Sequence, residues 1–364
     1  MFTIQTKNKI APAGLEKLPP ERFTINDGAA DPDGILVRSA DLLSYQFPPS
    51  LRAIARAGAG VNNIPVDRCS ECGVVVFNTP GANANAVKEL VVCALLLASR
   101  NVVAGNTWVC EQARAGADVA DAVEKGKSAF VGPELEGKTL AVLGLGAVGV
   151  RVANIATKLG MDVLGYDPYL SVESALSLSR AVHRVTDLDS LFRRADYITL
   201  HLPLNDSTRH TINEKAISLM RDQVRVINLA RGELVCDDAM IAALDRAKVA
   251  CYVTDFPNSK VALVPHVVAI PHLGASSPES EENCAVMAAR QLRDYLENGN
   301  IQNAVNLPNV YLERSGAVRL GIIHRNVPNM LASIMAVLSA AGLNIENLQN
   351  RSKGSYAYTL VDLN

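Results

Sequence analysis

Residues 138–169 read KTLAVLGLGAVGVRVANIATKLGMDVLGYDPY, and this stretch decides the fold. Residues 139–143 form a short apolar run that is typical of a buried parallel strand. A helix is predicted to open at Ala147, and a second apolar strand, 161–166, ends at the acidic Asp167. Between the first strand and the helix come three glycines in G-x-G-x-x-G spacing: Gly144, Gly146 and Gly149. The pattern therefore predicts strand, tight turn, helix and strand.

This arrangement is that of a dinucleotide-binding turn. The first glycine permits the tight turn, the second lets a pyrophosphate approach the backbone, and the third lets the helix pack on the strand. Free N–H groups near Ala147 and Val148, with the positive end of the helix dipole, would face the phosphates. Glycines also mark ordinary turns, but here the strands, the helix and the acid accompany them. Asp167 suits a ribose 2′-OH and would repel a 2′-phosphate, so the sequence predicts NAD rather than NADP.

Bulk properties exclude several classes of protein. The 364 residues are 49% hydrophobic and 20% charged, with 35 Lys and Arg against 37 Asp and Glu, which gives no support for nucleic-acid binding. No signal peptide is visible, and the longest apolar stretch, 90–98, is too short to span a bilayer. Seven scattered cysteines indicate reduced thiols, so we expect a cytoplasmic protein. Cys69 and Cys72 form a C-x-x-C without a second pair, and we predict two thiols rather than a metal site.

The rest of the chain alternates predicted strands and helices. Residues 1–99 read as an α/β domain without a glycine fingerprint, and the alternation resumes over 138–270 as a doubly wound parallel sheet. Residues 101–136 are predicted to be a connecting helix and a crossing between domains. Lys125 and Lys127 in that segment could reach an anion, or they are solvated surface lysines.

Two regions follow the second sheet. Residues 277–298 read as a long helix with an acidic first turn, which suits a helix N-terminus. A different composition begins near Ser315, with strands at 318–323 and 357–361 around a helix at 328–341. We predict a small βαββ unit there.

Two strand ends carry residues suited to chemistry. Arg231 follows a predicted buried strand within Asn-Leu-Ala-Arg-Gly, where a guanidinium could bind a carboxylate with both nitrogens. His272 lies in Pro-His-Leu-Gly-Ala-Ser-Ser, and a histidine can take the proton of a hydroxyl while hydride leaves the same carbon. A lone histidine is more often structural, and His201 also ends a strand. The pairing with Arg231 on one nucleotide-binding sheet singles out His272.

These residues resemble a family, the D-isomer-specific 2-hydroxyacid dehydrogenases. The motifs are GLGAVG with Asp167, INLARGE, TDF and PHLGASS, and the similarity covers nearly the whole chain. It implies a Rossmann-type NAD-binding domain, 100–276, inserted into a flavodoxin-like substrate domain made of 1–99 and 277–308, with the active site in the cleft. Arg231 is similar to the substrate-carboxylate arginine, His272 to the acid/base histidine and Asp255 to an aspartate near the nicotinamide. Further cofactor neighbours are implied at strand ends: Leu202, Pro203, Leu229, Ala230 and Gly274.

Within the family, the first domain resembles members that act on 3-phospho-D-glycerate. Arg38, with Ser39, and Arg56 look like arginines that hold the substrate phosphate, which a guanidinium fork suits. Backbone groups of a nearby loop look like the carboxylate-binding segment, at Ala59, Gly60 and Val61. The implied activity is oxidation to 3-phosphooxypyruvate, the entry to serine synthesis. One alternative is a sibling enzyme acting on glyoxylate, hydroxypyruvate or D-lactate, which carry no phosphate. Another is an NAD-sensing binding protein, which would need neither Arg231 nor His272.

The C-terminal region, 315–364, resembles an ACT domain that ends before its last helix and strand. ACT modules bind amino acids, and three residues look like contacts for a serine effector: His324, Asn326 and Asn344. A small sheet with open edges commonly pairs with a second copy, so we expect a homodimer or homotetramer. Two departures stand out: Pro328-Asn329 replaces the usual Pro-Gly, and the glutamate that usually follows the Asp255 position is absent. Asp255, Glu279 and Glu282 remain candidates for the carboxylate that partners His272.

Overall fold

A computed structural model describes residues 1–315 and 318–364. The chain divides into two compact units, one formed by Met1–Asn83 with Ser277–Asn364 and the other by Ala84–Ser276. The second unit is thus an insertion within the first. Within the described part of the chain, no helix is both long and apolar enough to cross a membrane.

The first unit begins with a five-stranded parallel sheet. The helices and strands of this part are β1 Phe2–Lys7, α1 Pro12–Leu15, β2 Phe23–Ile25, β3 Gly34–Val37, β4 Ala53–Arg56, α2 Val66–Glu71 and β5 Val75–Phe77. The strands run in the order β2-β1-β3-β4-β5, which is the flavodoxin-like order. All four residues of β3 are buried, because a parallel sheet is covered on both faces.

The second unit contains a seven-stranded parallel sheet. Its helices and strands are α3 Ala84–Arg100, α4 Val102–Arg114, α5 Val119–Gly126, β6 Thr139–Leu143, α6 Ala147–Lys158, β7 Asp162–Tyr166, α7 Val172–Ser177, β8 Val182–Arg184, α8 Leu188–Arg194, β9 Tyr197–Leu200, α9 Glu214–Leu219, β10 Val224–Asn228, α10 Asp237–Asp245, β11 Val249–Thr254 and β12 Val267–Ala269, with 3₁₀ turns at Lys127–Phe130 and Gly232–Leu234. The strand order is β12-β11-β10-β9-β6-β7-β8. The order reverses between β6 and β9, and ligands of such sheets bind outside the carboxyl ends of strands at this point. The predicted doubly wound sheet is confirmed.

The chain then returns to the first unit. It adds α11 Pro278–Asn298, β13 Val318–Arg325, α12 Met330–Ala340, β14 Ile345–Lys353 and β15 Tyr356–Leu363. Helix α11 buries Ala288 and Leu292 in the same apolar cluster as Ile4 and Phe77 of the first sheet. The last three strands form an antiparallel sheet in the order β13-β15-β14.

A buried ion pair ties the C-terminal sheet to the segment before it. Arg319 and Asp362 are joined by two hydrogen bonds, Nε to Oδ1 at 2.5 Å and Nη2 to Oδ2 at 2.7 Å. The Asp362 carboxylate is fully buried and also accepts the Ser315 amide. These hydrogen bonds, from Arg319 first, hold the pKa of Asp362 well below its usual range.

The division of the chain differs from the expected boundary at residue 99. The crossing comes before α3, because Val91 and Leu95 of that helix pack with the sheet of the second unit. For the same reason residues 101–136 are not a crossing: they contain α4, α5 and a 3₁₀ turn and lie wholly inside the second unit. The predicted C-terminal domain, 315–364, includes residues 316 and 317, which lie outside the described residues.

Candidate active site

The turn between β6 and α6 leaves no room for a side chain at two of its three glycines. Gly144 has a φ of +91°, and a Cβ there would lie 2.5 Å from the carbonyl oxygen of His201. A Cβ on Gly149 would lie 1.9 Å from the carbonyl oxygen of Gly144. At Gly146 a Cβ would meet no atom within 4 Å, so the space above this residue is open. The first and third glycines are required by packing, and the second faces the space that a pyrophosphate needs.

Asp167 is bound to this turn. Its Oδ2 accepts the Leu145 amide at 2.9 Å, and its Oδ1 accepts the Tyr169 amide at 2.8 Å. The carboxylate is half-buried at the end of β7, next to the first strand of the sheet. Ala147 and Val148 are the first two residues of α6, where the backbone amides have no partner within the helix. These residues fit a dinucleotide whose ribose hydroxyls bind Asp167 and whose phosphates bind the helix N-terminus.

A neutral histidine follows β9, the strand next to β6 where the strand order reverses. His201 Nε2 lies 3.0 Å from Thr199 Oγ1 at the end of β9, and burial lowers the pKa of His201 to about 4. The imidazole is therefore uncharged near neutral pH. Leu202 and Pro203 follow it directly.

Arg231 and His272 contact the same aromatic ring. The Arg231 guanidinium carbon lies 5.7 Å from the Phe256 ring centroid, and the His272 ring lies 4.5 Å from it at an interplanar angle of 45°. Arg231 follows β10 after Leu229 and Ala230, and Asn228 fixes that turn by donating Nδ2 to the Arg231 carbonyl at 2.8 Å. The Arg231 and His272 side chains are exposed to solvent. The structure thus brings the two predicted functional residues of this sheet together, with Phe256 between them.

A buried carboxylate lies beside this pair. Asp255 is 1% exposed, and its Oδ2 accepts the Gly274 amide at 3.1 Å. Its Oδ1 has no hydrogen-bond partner in the part of the chain that the structure describes. Burial raises the pKa of Asp255, and the Gly274 amide, His272 and Arg231 oppose that rise. The charge of Asp255 therefore acts on both His272 and Arg231.

The arginines of the first unit occupy neighbouring strand ends. Val37 of β3 pairs with Arg56 of β4, and Arg38 follows Val37 directly. Arg56 donates Nε to the Arg38 carbonyl at 3.0 Å and Nη1 to the Gly60 carbonyl. Arg38 Nη2 lies 2.5 Å from Oε1 of Glu281 in α11. Arg56 therefore braces the loop as well as lining it, whereas Arg38 is held by a carboxylate.

The other predicted residues near these arginines are placed by hydrogen bonds between their backbone and asparagine side chains. The Ser39 amide donates to Asn8 Oδ1 at 3.0 Å, and the Ala59 carbonyl accepts from Asn78 Nδ2 at 2.7 Å. Gly60 and Val61 follow Ala59. The loop presents backbone groups next to the two arginines.

The three predicted effector residues make contacts within the C-terminal region, 318–364. His324 Nε2 lies 2.9 Å from Thr359 Oγ1, and Asn326 Nδ2 donates to the Gly354 carbonyl at 3.1 Å. Asn344 is exposed, and its carbonyl accepts the Asn364 amide at 3.1 Å. The first two side chains therefore already have internal partners.

Cys69 and Cys72 are free thiols, and burial raises the pKa of Cys69 to about 12. Among the described residues, no cluster of His, Cys, Asp and Glu could hold a metal. Lys125 and Lys127 pair with acids on their own helical segment, Asp121 and Glu124.

Two residues of these sites were not predicted from the sequence. Phe256 is signalled only by its place directly after Asp255. Glu281 belongs to the acidic first turn of α11, and nothing in its local sequence indicates Arg38 as its partner.

Comparison with known proteins agrees with this architecture. Residues 92–274 match the model of the D-isomer specific 2-hydroxyacid dehydrogenase NAD binding domain. The chain is 35% identical to D-3-phosphoglycerate dehydrogenase of Methanocaldococcus jannaschii over 79% of this chain and 54% of that protein. It is also 35% identical to hydroxypyruvate reductase of Thermotoga maritima, over 70% of this chain and 81% of that protein.

A solved structure is also similar. NAD+-bound 3-phosphoglycerate dehydrogenase of Entamoeba histolytica has a TM-score of 0.64 and 27% identity, covering 84% of this chain and 98% of that one. The chain spans about half the length of several curated relatives that it matches. The glycine turn with Asp167, the reversed strand order and the family match together show that this chain belongs to the D-isomer specific 2-hydroxyacid dehydrogenases and carries their NAD-binding domain.

Proposed function

We propose that this protein oxidises 3-phospho-D-glycerate to 3-phosphooxypyruvate with NAD, the first step of L-serine biosynthesis. The observation that carries the proposal is the pair of arginines at the carboxyl ends of β3 and β4, Arg38 and Arg56, beside a glycine-containing loop. Guanidinium groups bind phosphate oxygens through charge-assisted hydrogen bonds. Related proteins named D-3-phosphoglycerate dehydrogenase support this assignment.

The residues of the second unit supply the acid/base chemistry. The substrate loses a hydride from C2 and a proton from the hydroxyl on the same carbon, and the chemistry that NAD supplies is acceptance of the hydride. His272 takes the hydroxyl proton. Arg231 holds the carboxylate and polarises the forming carbonyl. Phe256 keeps their two side chains together, since it contacts both.

Asp255 is our proposed partner for His272. Its buried carboxylate interacts electrostatically with His272 and Arg231, and it favours the protonated imidazole that forms during oxidation. Glu279 and Glu282, the other candidates, are exposed residues of α11 in the first unit. Asp255→Asn should lower kcat while Tm stays within a few degrees of wild type, and an unchanged kcat would remove Asp255 from this role.

The main test is a spectrophotometric assay at 340 nm with 3-phosphoglycerate, glycerate and D-lactate. His272→Ala should lower kcat by about 10²-fold or more, the range for a positioned acid/base, and should leave NAD affinity nearly unchanged. Arg38→Ala should raise KM for 3-phosphoglycerate by about tenfold to a hundredfold, because each charge-assisted contact contributes about 1.5–3 kcal/mol. Its KM for glycerate should barely change.

A matched control is Arg52→Ala. This exposed arginine precedes β4 and so lies at the opposite end of the same strand from Arg56. It should leave both KM values unchanged. Wild-type protein that prefers glycerate or D-lactate would refute the phosphoglycerate assignment.

The second candidate is reduction of hydroxypyruvate or glyoxylate, or turnover of D-lactate. The Thermotoga maritima relative named hydroxypyruvate reductase favours it. The same panel decides between them, because the sibling substrates carry no phosphate and would not respond to Arg38→Ala. A pure NAD sensor would bind NAD without turning over any substrate in the panel.

We propose a regulatory role for the C-terminal region, 315–364, as an ACT-like module that senses an amino acid such as serine. Its βαββ order and the antiparallel sheet β13-β15-β14 support this. An effector would have to compete with the internal partners of His324 and Asn326. Titration calorimetry with L-serine tests the idea, and the absence of heat at millimolar serine would contradict it.

A further inference from the structure

Glu281 places a carboxylate on the arginine that we assign to substrate phosphate. It is the fourth residue of α11, whose N-cap is Ser277. Its Oε1 lies 2.5 Å from Arg38 Nη2, and the two side chains are 40% and 43% exposed. A carboxylate and a phosphate present the same kind of acceptor oxygens to a guanidinium. Glu281 therefore occupies the position on Arg38 that a substrate phosphate would use.

The ion pair is not needed to hold α11 in place. Ala285, Ala288 and Leu292 of this helix are buried in the core of the first unit. An exposed ion pair typically contributes little to stability. The packing of α11 fixes the backbone at Glu281, so the carboxylate is presented to Arg38 by a rigid element while its own side chain remains free to turn into solvent.

Glu281 supplies the negative charge that faces the Arg38 guanidinium. Cys284 and Arg56, which lie near it, supply none. Cys284, one helical turn further along α11, is buried, and burial raises the pKa of its thiol. It therefore stays neutral, although Arg56 and Arg38 oppose that rise. Arg56 adds positive charge beside the Arg38 carbonyl, to which it donates.

We propose that Glu281 is an internal competitor for Arg38, which a phosphate-bearing ligand must displace in order to bind. The inference rests on the proposed function in assigning Arg38 to substrate phosphate. The need to displace Glu281 weakens the binding of every anion to Arg38 by the same factor. Free inorganic phosphate or sulfate, which has few other contacts, is then kept out at moderate concentrations. The complete substrate has further contacts through its carboxylate and still binds.

The test compares wild type with Glu281→Gln, which removes the charge and keeps the size of the side chain. The KM for 3-phosphoglycerate and the inhibition constant of inorganic phosphate should both fall by about threefold to tenfold, with kcat unchanged. Both effects should shrink at high ionic strength, because the competing charge is partly exposed and is screened. Glu71→Gln is the control, since it removes one charge from an exposed position at the end of α2 and should change neither constant.

A double variant shows whether the effect passes through Arg38. In the Arg38→Ala background, Glu281→Gln should no longer strengthen phosphate binding measured by calorimetry. A purely structural role for Glu281 would instead change Tm and kcat and would persist without Arg38.

The outcomes separate this inference from the proposed function. If wild type does not oxidise 3-phosphoglycerate but Glu281→Gln binds inorganic phosphate more tightly through Arg38, the assigned substrate is wrong and the competitor role stands. If wild type oxidises 3-phosphoglycerate while Glu281→Gln changes neither KM nor phosphate affinity, the competitor role is overturned and the function stands.

Discussion

Two alanine substitutions in the glycine turn after β6 should have different effects. Gly149→Ala should lower stability, and Gly146→Ala should weaken cofactor binding. In Gly149→Ala the new Cβ would lie 1.9 Å from the Gly144 carbonyl oxygen, so the turn must open by about 1 Å. Overpacking of this kind costs about 1–3 kcal/mol. For a unit of about 190 residues, each kcal/mol lowers Tm by about 2–4 °C, so Tm should fall by about 2–12 °C.

Gly146→Ala adds the same methyl where no atom lies within 4 Å, and Gly146 has φ −74°, which alanine adopts readily. The free protein should therefore keep its Tm. The methyl would occupy the space that the pyrophosphate needs, so the overpacking arises only in the complex. The same 1–3 kcal/mol weakens NAD binding by about fivefold to 150-fold.

Differential scanning fluorimetry without cofactor and titration calorimetry with NAD give the two measurements. Gly137→Ala is a less suitable control because its φ is +71°, whereas a helix-surface substitution such as Lys158→Ala at the end of α6 should change neither quantity. The reasoning is refuted if Gly146→Ala binds NAD as tightly as wild type, or if Gly149→Ala keeps the wild-type Tm.

Three further predictions follow from other features. Asp167→Asn should lower the preference for NAD over NADP, measured as kcat/KM, by about tenfold or more, because a like-charge contact with the 2′-phosphate is removed; equal ratios would exclude Asp167 from the ribose site. Asp362→Asn should lower the free energy of unfolding by about 3–5 kcal/mol, because it leaves Arg319 buried without its charge partner. Since the folded pKa of Asp362 is depressed, its contribution is present above about pH 4 and is lost as the pH falls further, which denaturant melts across that range can check. The open edges β13 and β14 and the NAD-binding unit should support a homodimer at least, and sedimentation that shows only monomer at micromolar concentration would contradict this.

The sequence predicts the elements that depend on local chemistry. Strand β6 and the start of α6 match their predicted positions, because the glycine spacing and the apolar run determine them locally. Strand β8 and helix α7 were not identified, since β8 has three residues, two of them exposed, and such edge strands give little periodic signal. The parallel strand order follows from the βα alternation, whereas the boundary near α3 depends on which core its apolar face joins.

The same distinction between local and long-range features applies to the residues of the candidate sites. Arg231, His272 and Asp255 could be found because each follows a strand of one parallel sheet. Phe256 as a shared contact and Glu281 as the partner of Arg38 could not be found, because both depend on side-chain directions across elements far apart in the chain. Arg56 shows the intermediate case: its position at a strand end was predictable, but its hydrogen bonds to two loop carbonyls were not.

The insertion also sets the order in which the protein can fold during its synthesis. The first sheet leaves the ribosome within the first 83 residues, yet α11, which covers it and buries Leu292 against Ile4 and Phe77, is made only after the whole second unit. At about 5–20 residues per second, the intervening stretch of about 190 residues takes about 10–40 s to translate. Throughout that interval the face of the nascent sheet that α11 covers stays uncovered. The segment that forms the first sheet therefore needs a chaperone more than the inserted unit, which contains all the strands of its own sheet.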